Sequence, residues 1–553
     1  MLLLFYFSFT FLNVYYFVLF LRFFSYIFIK NVGKAVLFLD KLKRFFINGF
    51  LMTVVTLAIR YASVAFNVYL TNKIGAVAMG LFTLISSVYG FALTLATSGI
   101  SLATTKLVSE ALGGLKAERQ ASTVKAIMKK SLCFAFIISF AVSIGLYLLS
   151  PIIASNILND MRTLRALRLL SYTLVPIALS SSMSGYFVAV RKVHKNAVVQ
   201  VLGYAIKIFS CIYLLTIVSA NDVESACLAI IFGGSIAEVL SFIIHFISYI
   251  IDIKKQKNKE AQDSSIAKKL IPFTLPIAFS AYVRSALVTV EHLLIPWGLE
   301  KSGAGRDASL AAYGTVHSIV FPLALFPSAV SSSFAGLLVP EISESAASGD
   351  VERIERIIGK VLKTILIYSV GVAGIFACLA NEFGAVMLTA DNAVKYLILV
   401  APLIPIMYLD TSVDSILKGL GHQFYCMVIN IVDALLSVIL VWVLLPRYGI
   451  MGYIVTVYFT EIINATLSIT RLLCATRVRF RIFEWVGKPI ITIILSTALT
   501  RFILYKLDLF AQSRIEIAIH VIIISIIYVA FLVLLRAISV KEIKRSVVNF
   551  IKA

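Results

Sequence analysis

The chain has 553 residues, 60% of them hydrophobic and 14% charged, with a mean hydropathy of +0.96. A soluble domain carries about 25% charged residues to cover its surface, so water cannot be the only solvent of this protein. The net charge of +22 would point to nucleic acid in a soluble protein, but here the basic residues fall in the breaks between apolar runs, where they act as topology signals.

In chain order, residues 1–29 form an unusually aromatic apolar segment with no basic start and no small-residue cleavage site, which makes a poor signal peptide. The segment is an added helix or a misassigned start, with the second reading preferred, and with a basic lead-in it occupies 1–44. Apolar spans of the length a bilayer core requires are then predicted at 47–71, 77–105, 130–150, 166–190, 197–219, 226–251, 270–297, 309–338, 358–380, 394–417, 424–446, 450–474, 486–506 and 515–536. The charged stretch 252–269, DIKKQKNKEAQDSSIAKK, divides the first twelve spans into two sets of six. The expected fold is an all-α integral membrane protein of about fourteen transmembrane helices. It comprises an N-lobe over 45–251, the linker 252–269, a C-lobe over 270–475, and two further helices with a basic tail over 476–553. About 35 of the 50 Lys and Arg residues collect at one set of span ends, so both ends of the fourteen-helix body are expected in the cytoplasm. The six cysteines stand singly, without the spacing of a zinc site or a disulfide framework, and are expected to be small core residues.

An internal repeat is legible at an offset of 234 residues. KLVSEALGGLKAER (106–119) and PEISESAASGDVER (340–353) share Glu110 with Glu344, Glu118 with Glu352 and Arg119 with Arg353, and the same offset pairs Gly185 with Gly419. Arg60 and Arg284 also correspond once an insertion around EKSGAGRDAS is allowed for. Two halves in the same orientation, joined by a linker, are the signature of a parallel repeat about the membrane normal, and such halves rock against each other.

The runs IGAVAMGLFTLISSVYGFALTLATSGISLATTKLVSEALG (74–113), LVPEISESAASGD (338–350), ILKGLGH (416–422) and LLPRYGIMGYIVT (444–456) resemble the polysaccharide-transporter branch of the MOP flippase superfamily, in particular its stage V sporulation protein B group. The resemblance covers nearly all of 45–536. It implies two six-helix lobes facing a central cavity in a bacterial plasma membrane, and export of a polyprenyl-diphosphate-linked oligosaccharide or peptidoglycan precursor, as in the related lipid II flippases. Membrane lipids and that lipid-linked glycan are the implied partners, with the protein expected as a monomer and no nucleic acid involved.

A sugar diphosphate needs a polar, cationic cleft to leave the headgroup region. Arg60 in the first span and Arg284 in the seventh are the candidate clamp, since guanidinium forks suit phosphate oxygens. The competing reading is that each snorkels to an interface or pairs within its own lobe. Gln200 and Lys207 match a family stretch that reads Gln, then Glu, then Arg; here Gly203 and Lys207 stand in the last two positions, so Lys207 is a candidate third cation without a bidentate fork. Glu291 and His292 are a candidate proton-coupling pair, although Glu291 could equally serve as counter-ion to Arg284. Asp433, Glu461 and Asn464 are oxygen donors of the kind a sodium site recruits, against the alternative of helix-to-helix hydrogen bonds. Asp410 and Asp414 are expected as helix-packing or gate residues, and Glu110 and Glu344 as structural ties.

Neither a Walker sequence nor a zinc-type His pair occurs, so no resident cofactor, structural metal or catalytic residue is expected. Na+ or H+ coupling is the candidate energy source. A MATE-type cation-coupled drug antiporter shares the two-lobe plan, but intramembrane arginines repel cationic drugs. A membrane-embedded transferase would want acidic or His residues clustered at one face.

Overall fold

The computed structural model describes residues 37–114, 117–218, 222–254, 270–332, 351–387, 392–476, 481–506 and 514–535, with the isolated positions 342, 478 and 537. Two units are distinguished, 1–52 and 53–553, and in the first the described residues are helical from Leu37 onward. The predicted segment 1–29, most of the linker, the repeat copy at Glu344 and the end of the basic tail lie outside the described residues.

No strand occurs among the described residues. Helix α1 (Leu37–Thr97) contains one non-helical residue, Gly75, with φ 83° and ψ 163°, a conformation a side chain would resist. The arms on either side of it cannot be collinear. Gly80 lies against Leu310 and Thr83 bonds Ser318, yet Arg60, far earlier in α1, bonds Ser328 beyond them on the same partner. The chain therefore folds back at Gly75. The stretch Val55–Leu112 has 58 residues, about 87 Å of helix where a bilayer core is about 30 Å thick, and the reversal makes it two crossings. Twelve such apolar stretches are found among the described residues, or thirteen with the bent pair Met161–Ser171 and Leu174–Ala189, which is consistent with about fourteen crossings.

The N-lobe continues through α2 (Ile100–Gly114), α3 (Ala117–Ile152), α4 (Leu164–Ser171), α5 (Leu174–Ala189), α6 (Val193–Ile217) and α7 (Val223–Lys254). Asp222 caps α7 by accepting from the Ser225 amide at 3.1 Å. The Ser225 hydroxyl and amide hold that carboxyl below its usual range. The C-lobe comprises α8 (Leu270–Lys301), α9 (Arg306–Gly314), a π-turn at Thr315–Val320, α10 (Phe321–Leu325), α11 (Val351–Cys378), α12 (Ala380–Met387), α13 (Ala393–Val400), α14 (Ile404–Gly419), α15 (Gln423–Tyr448) and α16 (Ile450–Ala475). The last pair, α17 (Lys488–Lys506) and α18 (Arg514–Leu534), packs on α11, where the Tyr528 hydroxyl donates to the Ile367 carbonyl at 2.8 Å.

The lobes repeat each other's interruptions. Helices α3 and α11 begin 234 residues apart, the predicted offset. The fourth crossing of each lobe is broken into an 8-residue and a 16-residue piece, α4 with α5 and α13 with α14. The second pieces start at Leu174 and Ile404, 230 residues apart. One helical turn is therefore lost between the third and fourth crossings, and Gly419 corresponds to Ala189 rather than to Gly185. Pro176 and Pro405 sit in the first turns of α5 and α14, where an amide donor is not required, so they mark restarts more than bends.

Hydroxyls supply much of the polar contact inside the lobes. In the N-lobe Thr104, Ser131 and Ser182 form a buried chain at 2.6 and 2.7 Å that ties α2, α3 and α5. At the end of α7, buried Asp252 accepts from Tyr186 at 2.9 Å, Lys192 at 2.5 Å and Lys195 at 3.2 Å.

Candidate substrate and coupling site between the lobes

The lobes meet along the second arm of α1. Thr83 and Ser318 share a hydrogen bond of 2.6 Å, Thr289 donates to the Ser87 carbonyl at 3.2 Å, Ser285 to Thr94 at 3.1 Å and Tyr282 to the Leu95 carbonyl at 3.2 Å. At one end, here the latch end, Arg162 of the N-lobe pairs with Asp160 at 2.7 Å and reaches Asp307 of the C-lobe at 3.4 Å. Arg306 of the C-lobe pairs with Glu300 and donates to the N-lobe Leu158 carbonyl. Toward the opposite end Gly99 lies against Thr274, and Arg60 donates to Ser328 at 3.4 Å.

Arg60 is thus committed across the lobe boundary. It and Arg284 are both exposed although they lie within crossings. A guanidinium exposed within a crossing is strongly disfavoured against lipid. Arg284 has Asp410 of α14 and Asp433 of α15 as its charged neighbours. Glu291, two turns further along α8, lies beside Ser437 and faces Asp433, so the predicted alternative of a Glu291–Arg284 pair is not what the fold builds.

Four carboxylates from four helices converge on this part of the C-lobe: Glu291, Asp410, Asp433 and Glu461, the last facing both aspartates. Asn464, one turn after Glu461 on α16, donates to Asp410 Oδ2 at 3.1 Å, and Ser468, one turn later, lies beside the same carboxyl. Asp410 therefore joins the predicted Asp433, Glu461 and Asn464, whereas Asp414 pairs with Lys418 at 2.6 Å. Among the described residues no three His, Cys, Asp or Glu side chains draw close enough to hold a metal ion in this conformation. His292, the next residue on the helix, has different direct partners, although Glu291 also lies within electrostatic reach of Tyr313 and Tyr453 beside it. Its Nδ1 bonds the Tyr313 hydroxyl at 2.8 Å, and its ring packs 4.7 Å from that of His317 in a pocket with Phe321 and Tyr453.

In the N-lobe Gln200 is exposed on α6, and Lys207 two turns later is half-buried against α7. Sequence reasoning missed the acid beside it. Glu238 of α7 lies within electrostatic reach of Lys207, is solvent-accessible, and has Tyr89 as a further neighbour. A charged residue inside an apolar run was the available signal, but nothing in the sequence states which helix faces Lys207.

A bundle of two repeated helical lobes, with cations and carboxylates held inside its apolar crossings, has the architecture of a membrane transporter. The model for the polysaccharide biosynthesis protein family matches residues 45–345, more than half of the chain, and the chain belongs to that family. The MatE family model also matches 303–443. Among curated proteins, stage V sporulation protein B of Bacillus subtilis (strain 168) is 23% identical over 514 residues, 91% of this chain and 98% of that protein. Among solved structures, the lipid II flippase MurJ in an inward closed conformation superposes with a TM-score of 0.66 at 15% identity, covering 88% of this chain and 98% of that one. An inward-facing MATE multidrug resistance transporter of the MOP superfamily gives 0.59 at 13% identity, covering 76% and 98%. The expected fold and family are both met.

Proposed function

We propose that the protein is a flippase that carries a polyprenyl-diphosphate-linked glycan, an oligosaccharide or a peptidoglycan precursor, from the cytoplasmic to the outer leaflet of a bacterial plasma membrane by alternating access. The observation that carries this reading is the presence of cationic side chains from both lobes within crossings, with Arg60 and Arg284 beside the lobe boundary and Lys207 where α6 packs on α7 in the N-lobe. A diphosphate is the anion such forks and ammonium groups recognise, while the polyprenyl tail can remain in hydrocarbon. Family membership and the likeness to a stage V sporulation protein support the same cargo class. The protein acts as a monomer with both ends of the helical body in the cytoplasm, as the distribution of basic residues implies. It performs no covalent chemistry.

Coupling falls to the C-lobe. Four carboxylates converge while only two of them, Asp410 and Asp433, have Arg284 as a neighbour, which leaves an excess of negative potential that a monovalent cation, H+ or Na+, offsets as the lobes move.

The test is a flipping assay in proteoliposomes with a fluorescent polyprenyl-diphosphate-linked disaccharide. Arg60→Ala and Arg284→Ala should each slow transport at least tenfold, and Asp433→Asn should remove its dependence on a Na+ or H+ gradient while passive binding persists. Undiminished flipping in both arginine variants would sink the clamp. Movement of ethidium in place of the glycan would favour the drug-antiporter reading that the MATE-like fold also accommodates.

A further inference from the structure

The packing of α6 against α7 fixes what Lys207 faces. A Cβ at Gly233 would lie 2.7 Å from Cys211 Sγ, and one at Gly203 would lie 2.3 Å from Ser241 Oγ. The two helices therefore run antiparallel with 211 level with 233 and 203 level with 241, which sets Lys207 level with 237 and 238. The lysine stem follows that course, since its Cε lies 3.9 Å from a Cβ built at Gly234, one turn before Glu238. The two groups feel each other's charge, yet among the described residues no ion pair within 4 Å joins them. Glu238 is exposed, and its further neighbour Tyr89 is tied to Thr173 at 2.6 Å.

We propose that Glu238 is an exchangeable counter-ion, a positioning residue that competes with the anionic cargo for Lys207 and so sets how readily the cargo is bound and released. The inference rests on the anionic-cargo reading above. A carboxylate locked onto Lys207 would silence the cation, and a lysine with no carboxylate in reach would hold a diphosphate too firmly for rapid turnover. An acid one helix away, near but not clamped, meets both demands. It neutralises Lys207 in the empty protein, swings aside for the diphosphate, and returns to displace it. The C-lobe has the same arrangement, with Arg284 beside Asp410 and Asp433. Each lobe thus presents a cation already matched with a carboxylate, and the cargo binds by ion exchange without leaving a bare charge at membrane depth.

The experiment measures equilibrium binding of the fluorescent polyprenyl-diphosphate-linked disaccharide to the full chain in nanodiscs, and flipping rates at varied probe density. Glu238→Gln should bind about tenfold more tightly and turn over several-fold more slowly, so that KM falls together with kcat. Lys207→Ala should bind about tenfold more weakly, and Glu238→Gln added to it should gain nothing, because the competition acts through the lysine. Glu238→Ala should repeat the Gln result, which guards against a fault particular to one side chain. A purely structural Glu238 would lower kcat without lowering KM, and that result overturns the proposal. So does a gain in affinity that survives in the Lys207→Ala background. If the wild type neither binds nor flips the probe, the cargo reading fails and this one with it; if the wild type does both and Glu238→Gln binds no tighter, only the counter-ion role is lost.

Discussion

Replacing Gly80 by alanine should open the latch end of the protein. Gly80, on the second arm of α1, faces Leu310 and Gly314 of α9 so closely that an added Cβ would lie 1.9 Å from the Leu310 carbonyl oxygen, where ordinary contact begins at 3.4 Å. A Cβ on Gly314 would likewise lie 2.5 Å from the Gly80 nitrogen and 2.6 Å from the Ala76 carbonyl. The obstacles are backbone atoms of two packed helices, so no side-chain rotation relieves them, and the helices must part by about 1.5 Å. Overpacking of this kind costs about 1–3 kcal/mol, charged against the state in which these lobes touch and not against one in which they have separated. The ratio of closed to open latch should fall by about 5- to 150-fold. Spin labels at Asn156 and Lys301, both exposed on opposite lobes, would report it by electron–electron double resonance in nanodiscs, with exposed Cys133 and Cys474 replaced. The label separation should broaden or shift to longer distance in Gly80→Ala. An unchanged distribution in a folded variant would show that this contact is not broken when the lobes move, and the rocking motion inferred from the repeat would need another hinge.

The ionic ties of the latch should differ in weight. Arg306→Ala removes a half-buried guanidinium that satisfies both Glu300 and the Leu158 carbonyl, and should loosen the latch by about 1–3 kcal/mol in the same distance measurement. Asp307→Asn removes only a 3.4 Å contact made by a side chain that is itself 67% exposed, and should change the distribution little. Elsewhere, Asp252→Ala leaves Tyr186, Lys192 and Lys195 without their common acceptor. Because Lys192 is 43% exposed and can reach water, the loss should be about 2–3 kcal/mol, below that of a fully buried pair, read as a lower unfolding midpoint in detergent.

The sequence by itself determined the solvent, the approximate number of crossings and the doubling into lobes, because a bilayer imposes a length and a composition on every span that no packing detail can override. The repeat at Ala117 and Val351 could be read to the residue, but the turn lost before the fourth crossing could not, since a four-residue shift leaves an apolar pattern nearly unchanged. Charged positions inside spans were equally legible, and Arg60, Lys207, Arg284, Asp433 and Glu461 were all singled out for that reason. What only the tertiary structure decided is which of them meet. The crossing of α6 and α7 gives Lys207 its neighbour Glu238, and Asn464 draws Asp410 into the C-lobe carboxylates. The turn of one residue along α8 gives His292 the Tyr313 hydroxyl, while Glu291 lies beside Ser437 and faces Asp433. Partners in a bundle are set by helix rotation and by crossing register, and those follow from how small residues let particular helices approach, a property of pairs of helices that a single span does not carry.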